Sequence, residues 1–360
     1  MLLDVRRAQV YFLVRSARFG ASSKVQPSQD TVVKSDNMAA ATVRTRILII
    51  SDTHTATLTA DDASSPFSLP LPAVDLLIHC GDLTHTGRYD EYERTLDMLL
   101  AINAPVKLVI AGNHDLTLDR DFVLGHLGQH GPSEEDARLK WRKARDLWTS
   151  PDGRARLEGV TFLDEGLHDV SLANGAHVKV YASPYTPEFY DWGFPYEIYE
   201  DRFNGPQHSL TDARNIATCP IPSYSSNDAL DILVTHGPPL GLLDMTNRGT
   251  SAGCLHLLRA VMRSRPLIHC FGHIHEGMGT GRVEWAKHVD ALVASEVSTS
   301  QWVSDESCGW KAGLAMFSEQ PSASRQEYAA CLNLSMDGGR PIRRGEETVM
   351  INAAIMDRHI

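Results

Sequence analysis

Arg46–His54, RILIISDTH, decides how the rest of the chain is read. Ile47 to Ile50 is an apolar run with nothing polar before Ser51, the pattern of a strand buried on both faces. It stops at Asp52-Thr53-His54. On an extended backbone alternate side chains share a side, so Asp52 and His54 are expected to converge while Thr53 turns away. A carboxylate and an imidazole aimed together from a strand end can hold a divalent metal. An ordinary strand-end turn draws on the same residues.

The arrangement recurs four times downstream. Asp75–Cys80 runs into Gly81-Asp82, and Val106–Ala111 runs into Gly112-Asn113-His114-Asp115. Asp231–Thr235 ends in His236-Gly237-Pro238-Pro239, and Leu267–Phe271 ends in Gly272-His273-Ile274-His275. In open α/β sheets, sites gather at the carboxyl ends of strands. Each piece has a bland reading as a turn or a loop histidine, but five in order make coincidence the poorer account. Oxygen and imidazole without thiolate suit manganese first, with iron, zinc or magnesium as alternatives. Asp52, His54, Asp82 and His275 can serve one ion, and Asp82, Asn113, His236 and His273 the other, with Asp82 as the bridge. Two ions about 3.5–4 Å apart clamp a phosphoryl group and generate an attacking hydroxide between them.

Bulk properties agree with such an enzyme and exclude others. The 360 residues are 42% hydrophobic and 22% charged, with no run long enough to span a bilayer. A net charge of -11 argues against a nucleic-acid groove, which needs clustered Lys and Arg. The six cysteines have no CxxC spacing, as in an intracellular protein with reduced thiols. Residues 1–45 read as a separate, disordered extension, with Met38 as an alternative start and a cytoplasmic location. Arg6, Arg7, Arg15 and Arg18 also fit a mitochondrial presequence. Residues 46–360 read as one layered α/β domain. Helices are expected over Arg88–Ile102, Glu134–Trp148 and Cys254–Arg263, a hairpin at Asn174-Gly175, and a late strand over Thr348–Ile355. A Ser-rich insertion without a clean period occupies about 283–340.

The motifs DTH, GD, GNHD, THGPP and GHIH, in this order, resemble those of the calcineurin-like metallophosphoesterase superfamily. IAGNHDLTLD (110–119), SPYTPEFYDWGF (183–194), LVTHGPPLGLLD (233–244) and FGHIHEG (271–277) are most similar to its MPPED-type subfamily. The resemblance runs from about Arg46 to Ile355. It implies an α/β fold, a four-layered αββα sandwich with a dimetal site at the strand ends. It also implies phosphodiester hydrolysis, with cyclic nucleotides as the substrate class. His114 would face the scissile phosphate as a general acid or charge stabiliser. Asp115 would either orient it or serve as a turn residue.

Other features stay open. Tyr185, Phe189, Tyr190, Trp192 and Phe194 could wall a nucleobase pocket, with Tyr185 and Trp192 as the substrate-binding candidates, or could pin their own loop. His79-Cys80 and His269-Cys270 read as core packing, and His85 as a solvated loop residue. Phosphomonoesterase or protein phosphatase activity is the alternative within enzymes. A slow-turnover nucleotide-binding regulator is the alternative outside them.

Overall fold

The apolar runs become strands because both of their faces are covered. The computed structural model describes residues 8–13, 43–58, 67, 69–127, 133–287, 298–299, 314–319, 329–334 and 341–355. The first sheet contains β1 (Ala8–Leu13), β2 (Thr45–Ile50), β3 (Leu76–His79), β4 (Val106–Val109), β5 (Val160–Phe162) and β16 (Ala329–Asn333). Their spatial order is β16-β1-β2-β3-β4-β5, parallel throughout except for the β16–β1 pair.

Leu48, Ile50, Leu77 and Val109 point from this sheet toward α1 (Tyr89–Ala101) and α3 (Glu134–Thr149). From α1 they meet Tyr92, Leu96 and Leu99, which share one face at helical spacing. The α3 helix starts where Ser133 accepts from the Asp136 amide at 3.1 Å, a cap of about 1 kcal/mol. It buries Leu147 and Trp148.

The second sheet has the order β15-β14-β17-β13-β12-β7-β6. Its members are β6 (Gly166–Ser171), β7 (His177–Ser183), β12 (Ile232–Thr235), β13 (Ile268–Phe271), β14 (Gly279–Trp285), β15 (Leu314–Glu319) and β17 (Glu347–Asn352). Its outer face packs Tyr181, Leu233, Phe271 and Met350 on Leu257, Leu258, Val261 and Met262 of α5 (Leu255–Ser264). Between the sheets, Ile47, Ile49, Ile78 and Leu108 meet Val180, Ile232, Val234 and Ile351. At about 1.5–3 kcal/mol for each fully buried aliphatic side chain, this middle layer holds the sandwich together. The layers are therefore helix, sheet, sheet, helix, as the resemblance implied.

Short pieces complete the chain. The hairpin at Asn174-Gly175 joins β6 and β7 antiparallel, with Gly175 at φ 87°. The loop after β7 carries β8 (Thr186–Pro187) paired with β9 (Pro195–Tyr196), then β10 (Glu200–Asp201) paired with β11 (Arg214–Asn215). Two short helices, α2 (Arg120–Gly125) and α4 (Arg154–Leu157), lie beside α3. No helix among the described residues is long and apolar enough to cross a membrane.

Two expectations are corrected. The first 45 residues are not wholly separate, because β1 pairs in parallel with β2, from Ala8 opposite Thr45 to Phe12 opposite Ile49. The region expected as an insertion is not all insertion, because β14, β15 and β16 extend both sheets. Helix-like patches in that region misled the period reading; pairing with distant strands decides the local structure. Residues 288–297, 300–313 and 320–328 lie outside the described residues, as do residues 14–42 with the proposed start at Met38.

Candidate metal centre

The two sheets contribute to one cluster. Asp52, His54, Asp82 and Asn113 come from the ends of β2, β3 and β4, and His236, His273 and His275 from the ends of β12 and β13. Asp52 and Asp82 are each only 2% exposed. Asp82 Oδ1 lies 3.2 Å from His236 Nε2, and Asp82 Oδ2 lies 3.8 Å from His54 Nε2. Asp52 Oδ1 lies 3.2 Å from His275 Nε2, and Asn113 Oδ1 lies 2.8 Å from His236 Nε2. Donor atoms of Asp52, His54 and His275 lie within 4.8 Å of one another, as do those of Asp52, Asp82 and His236. His273 joins through its ring, edge-on to His236 at 5.1 Å.

The donor set fits divalent cations. His54 Nδ1 donates to Thr84 O at 2.9 Å, so the neutral ring keeps a lone pair on Nε2, which is buried and has no hydrogen-bond partner. His236 Nδ1 likewise donates to Cys80 O at 2.8 Å and aims Nε2 inward. Such backbone acceptors fix the tautomer of metal-binding imidazoles. Burial pushes His54 below its ordinary range and His273 to about 4, so both are neutral as ligands must be. Burial alone would raise the Asp52 carboxyl, but the His275 hydrogen bond and charge hold it at about 2. Burial opposes charge on His236 as well, yet Asp82 beside it raises that imidazole to about 9. Two buried carboxylates thus draw positive charge into the cluster.

The convergence has a different cause from the one expected. β2 ends at Ile50, and Asp52 and His54 sit in left-handed backbone at φ 54° and 42°. Asp82 and His273 do the same at 55° and 68°. A tight turn, and not strand alternation, aims Asp52 and His54 together. Such conformations cost about 1–3 kcal/mol each and persist where their surroundings over-determine them. Asp52 N is bonded to Gly81 O at 2.9 Å, and His54 N to Asp82 O at 3.2 Å, so the β2 and β3 turns hold each other. Two glycines admit the carboxylates: a Cβ at Gly272 would lie 2.1 Å from Asp52 Oδ2, and one at Gly112 2.3 Å from Asp82 Oδ1.

The calcineurin-like phosphoesterase family model matches residues 45–277, well over half of the chain and the whole of this cluster. The chain belongs to the calcineurin-like phosphoesterase family. It is 33% identical over 257 residues to metallophosphoesterase domain-containing protein 1 of Homo sapiens, and equally to that of Mus musculus. These alignments cover 70% of this chain and 67% of each relative. A purple acid phosphatase from yellow lupin seeds aligns at a TM-score of 0.31 and 10% identity, over 85% of this chain and 53% of that one.

Around the candidate ligand positions of this phosphoesterase, the remaining candidates divide. The His114 backbone amide donates to Asp82 Oδ1 at 2.9 Å, and its Nδ1 to His85 O at 2.8 Å. Its ring stacks on Trp192 at 3.9 Å and meets His54 edge-on at 4.8 Å. Asp115 does not orient His114. Its carboxylate accepts from the Gly112, Leu83 and Thr84 amides and from Thr84 Oγ1, tying the β3 and β4 turns together. Burial and the Asp82 charge push Asp115 to about 7. The His85 carbonyl takes the orienting place, and the exposed His85 ring stacks on His54 at 5.2 Å. Nothing in the sequence marked His85 beyond its nearness to Asp82.

Tyr185 and Trp192 part company. The Tyr185 ring is covered by the Arg202 guanidinium at 3.3 Å and packs edge-on to Phe194 at 5.4 Å. Arg202 is itself held by Glu165 through two hydrogen bonds. Tyr185 therefore pins its loop and lines a separate cleft of about 210 Å³ with Trp141, Phe162 and Phe194. Phe189, 58% exposed, is the ring that reaches the cluster instead, edge-on to His273 at 6.4 Å. The buried histidines repeat one device: His79 Nε2 meets Thr53 Oγ1 and His269 Nε2 meets Thr235 Oγ1, both at 2.9 Å. Each bond steadies the residue beside a candidate ligand position.

Proposed function

We propose that the chain is a dimetal phosphodiesterase acting on nucleotide-type diesters, cyclic nucleotides among them, with manganese as the preferred ion. The seven clustered side chains would hold the ions, Asp82 offering one oxygen toward His54 and the other toward His236. When bound, two divalent ions supply Lewis acidity and a water acidic enough to attack phosphorus. His114, steadied through Nδ1 by His85 O, would donate a proton from Nε2 to the leaving oxygen when it is in the imidazolium form.

The observation that carries the diester reading is the pair of rings beside the cluster, Trp192 on His114 and Phe189 by His273. A diester bears one charge and two organic arms, so part of its grip must come from outside the metals. A base gains about 1–3 kcal/mol by stacking on an aromatic ring. Metal-loaded protein should hydrolyse cyclic nucleotides and a small generic diester faster than phosphomonoesters. Trp192→Ala should raise KM about tenfold for the nucleotide and leave the generic diester nearly unchanged. A consistent preference for monoesters would instead favour a phosphomonoesterase. Tight nucleotide binding without turnover would favour a binding regulator.

A further inference from the structure

Helix α2 grips both ends of the segment that carries Trp192. At its start, Asp119 Oδ1 accepts from the Asp121 and Phe122 amides, while Oδ2 accepts from the Phe194 amide at 2.5 Å. At its end, His126 Nε2 lies 2.9 Å from both oxygens of Asp191. The same ring stacks on Phe122 at 4.0 Å and bonds the Phe122 carbonyl through Nδ1 at 2.7 Å. Both ring nitrogens thus face acceptors, so both must donate, and the ring is an imidazolium against a carboxylate. The Phe122 carbonyl and the Asp191 side chain accordingly hold the His126 imidazole above its ordinary range.

Between these grips lie Trp192, stacked on His114, and Gly193, whose amide donates to Asn113 O at 2.9 Å. The segment needs holding. Tyr190 and Phe194 are both left-handed, at φ 52° and 53°, and Tyr190 is 74% exposed. Among the described residues, Asp191–His126 is the only hydrogen-bonded tie of residues 189–192.

We propose that His126 and Asp191 form a latch that presets the Trp192 ring beside the metal centre, which makes them positioning residues for substrates with an aromatic arm. The substrate part rests on the phosphodiesterase reading; the latch itself does not. Without the latch the chain must order residues 189–192 each time a base docks, so the loss falls on substrate affinity and not on the chemical step.

The test compares the metal-loaded full chain with Asp191→Asn, His126→Gln and Asp191→Asn/Trp192→Ala. Hydrogen exchange of the Glu188 and Gly193 amides, the hydrogen-bonded amides that flank the loop, should quicken about tenfold in both single variants, while the amides of the two sheets stay protected. KM for a cyclic nucleotide should rise three- to tenfold, with kcat and generic-diester KM unchanged. The double variant should be no worse than Trp192→Ala alone, because the latch acts through that ring. Unchanged exchange in the single variants would remove the latch, as would exchange that quickens across the whole domain. Faster loop exchange with an unaltered nucleotide KM would remove the positioning role. Exchange needs no turnover, so an inactive wild type would end the phosphodiesterase reading and leave the latch to be decided by exchange alone.

Discussion

His54 and His236 each commit one ring nitrogen to a backbone carbonyl and turn the other inward, the arrangement expected of a metal-binding imidazole. If Asp82 spans both ions, Asp82→Asn should deplete both, whereas His275→Ala, which removes a donor grouped with Asp52 and His54, should deplete one. Elemental analysis of the purified variants decides it, and full two-ion content in Asp82→Asn would refute the bridge. In the proposed mechanism His114 acts on the leaving oxygen and not on the ions. His114→Ala should lower kcat by about 10²–10⁴ with metal content unchanged. A nitrophenolate leaving group, which needs little protonation, should recover part of that loss. Residue type and motif order were enough to name the positions that cluster, because ligand chemistry admits few side chains. They could not distinguish the roles of Asp115 and Tyr185, because an acceptor or a ring reads the same whether it faces a substrate or its own backbone.

At the scale of elements, the turns after the strands do more than the strands. Gly272→Ala would place a methyl group 2.1 Å from both Asp52 Oδ2 and Ser51 Oγ, so the carboxylate has to leave its place. Metal affinity should fall at least tenfold in a titration followed by calorimetry. Gly125→Ala, where a Cβ meets nothing within 4 Å, is the matched control and should bind as wild type does. Strand positions were legible because runs such as Ile47–Ile50 and Ile232–Thr235 are covered on both faces and carry no polar interruption. The left-handed backbone at Asp52, His54, Asp82 and His273 was not legible. Neither Asp nor His demands that conformation, and only the bonds between neighbouring turns impose it.

Across the whole molecule, the edges were the hard part to read. β1 lies beside β2, the strand that leads to Asp52, and its five paired positions come from a segment remote in sequence and without chemical motifs. A chain beginning at Met38 would uncover that edge and lose about 1 kcal/mol for each ladder hydrogen bond. It should melt earlier than the full chain and aggregate more readily, as unpaired edges do. Equal melting temperatures would show that the pairing adds nothing. Strands β15 and β16 escaped notice for the same reason, since their partners are distant and no local period announces them.

The candidate ligand positions are shared between the two sheets, four on one and three on the other. Ions bound there would rivet the halves of the sandwich together, so occupancy is also a mechanical property of the fold. At a hundredfold excess over Kd, each ion bound only by the folded state adds about 2.7 kcal/mol. For a domain of this size that is a rise of about 4 °C in Tm for each ion. A chelator should therefore do more than silence the protein. It should let the sheets part at a lower temperature, with exchange quickening first in the Ile47–Ile49 and Ile232–Val234 layer that the rivet closes.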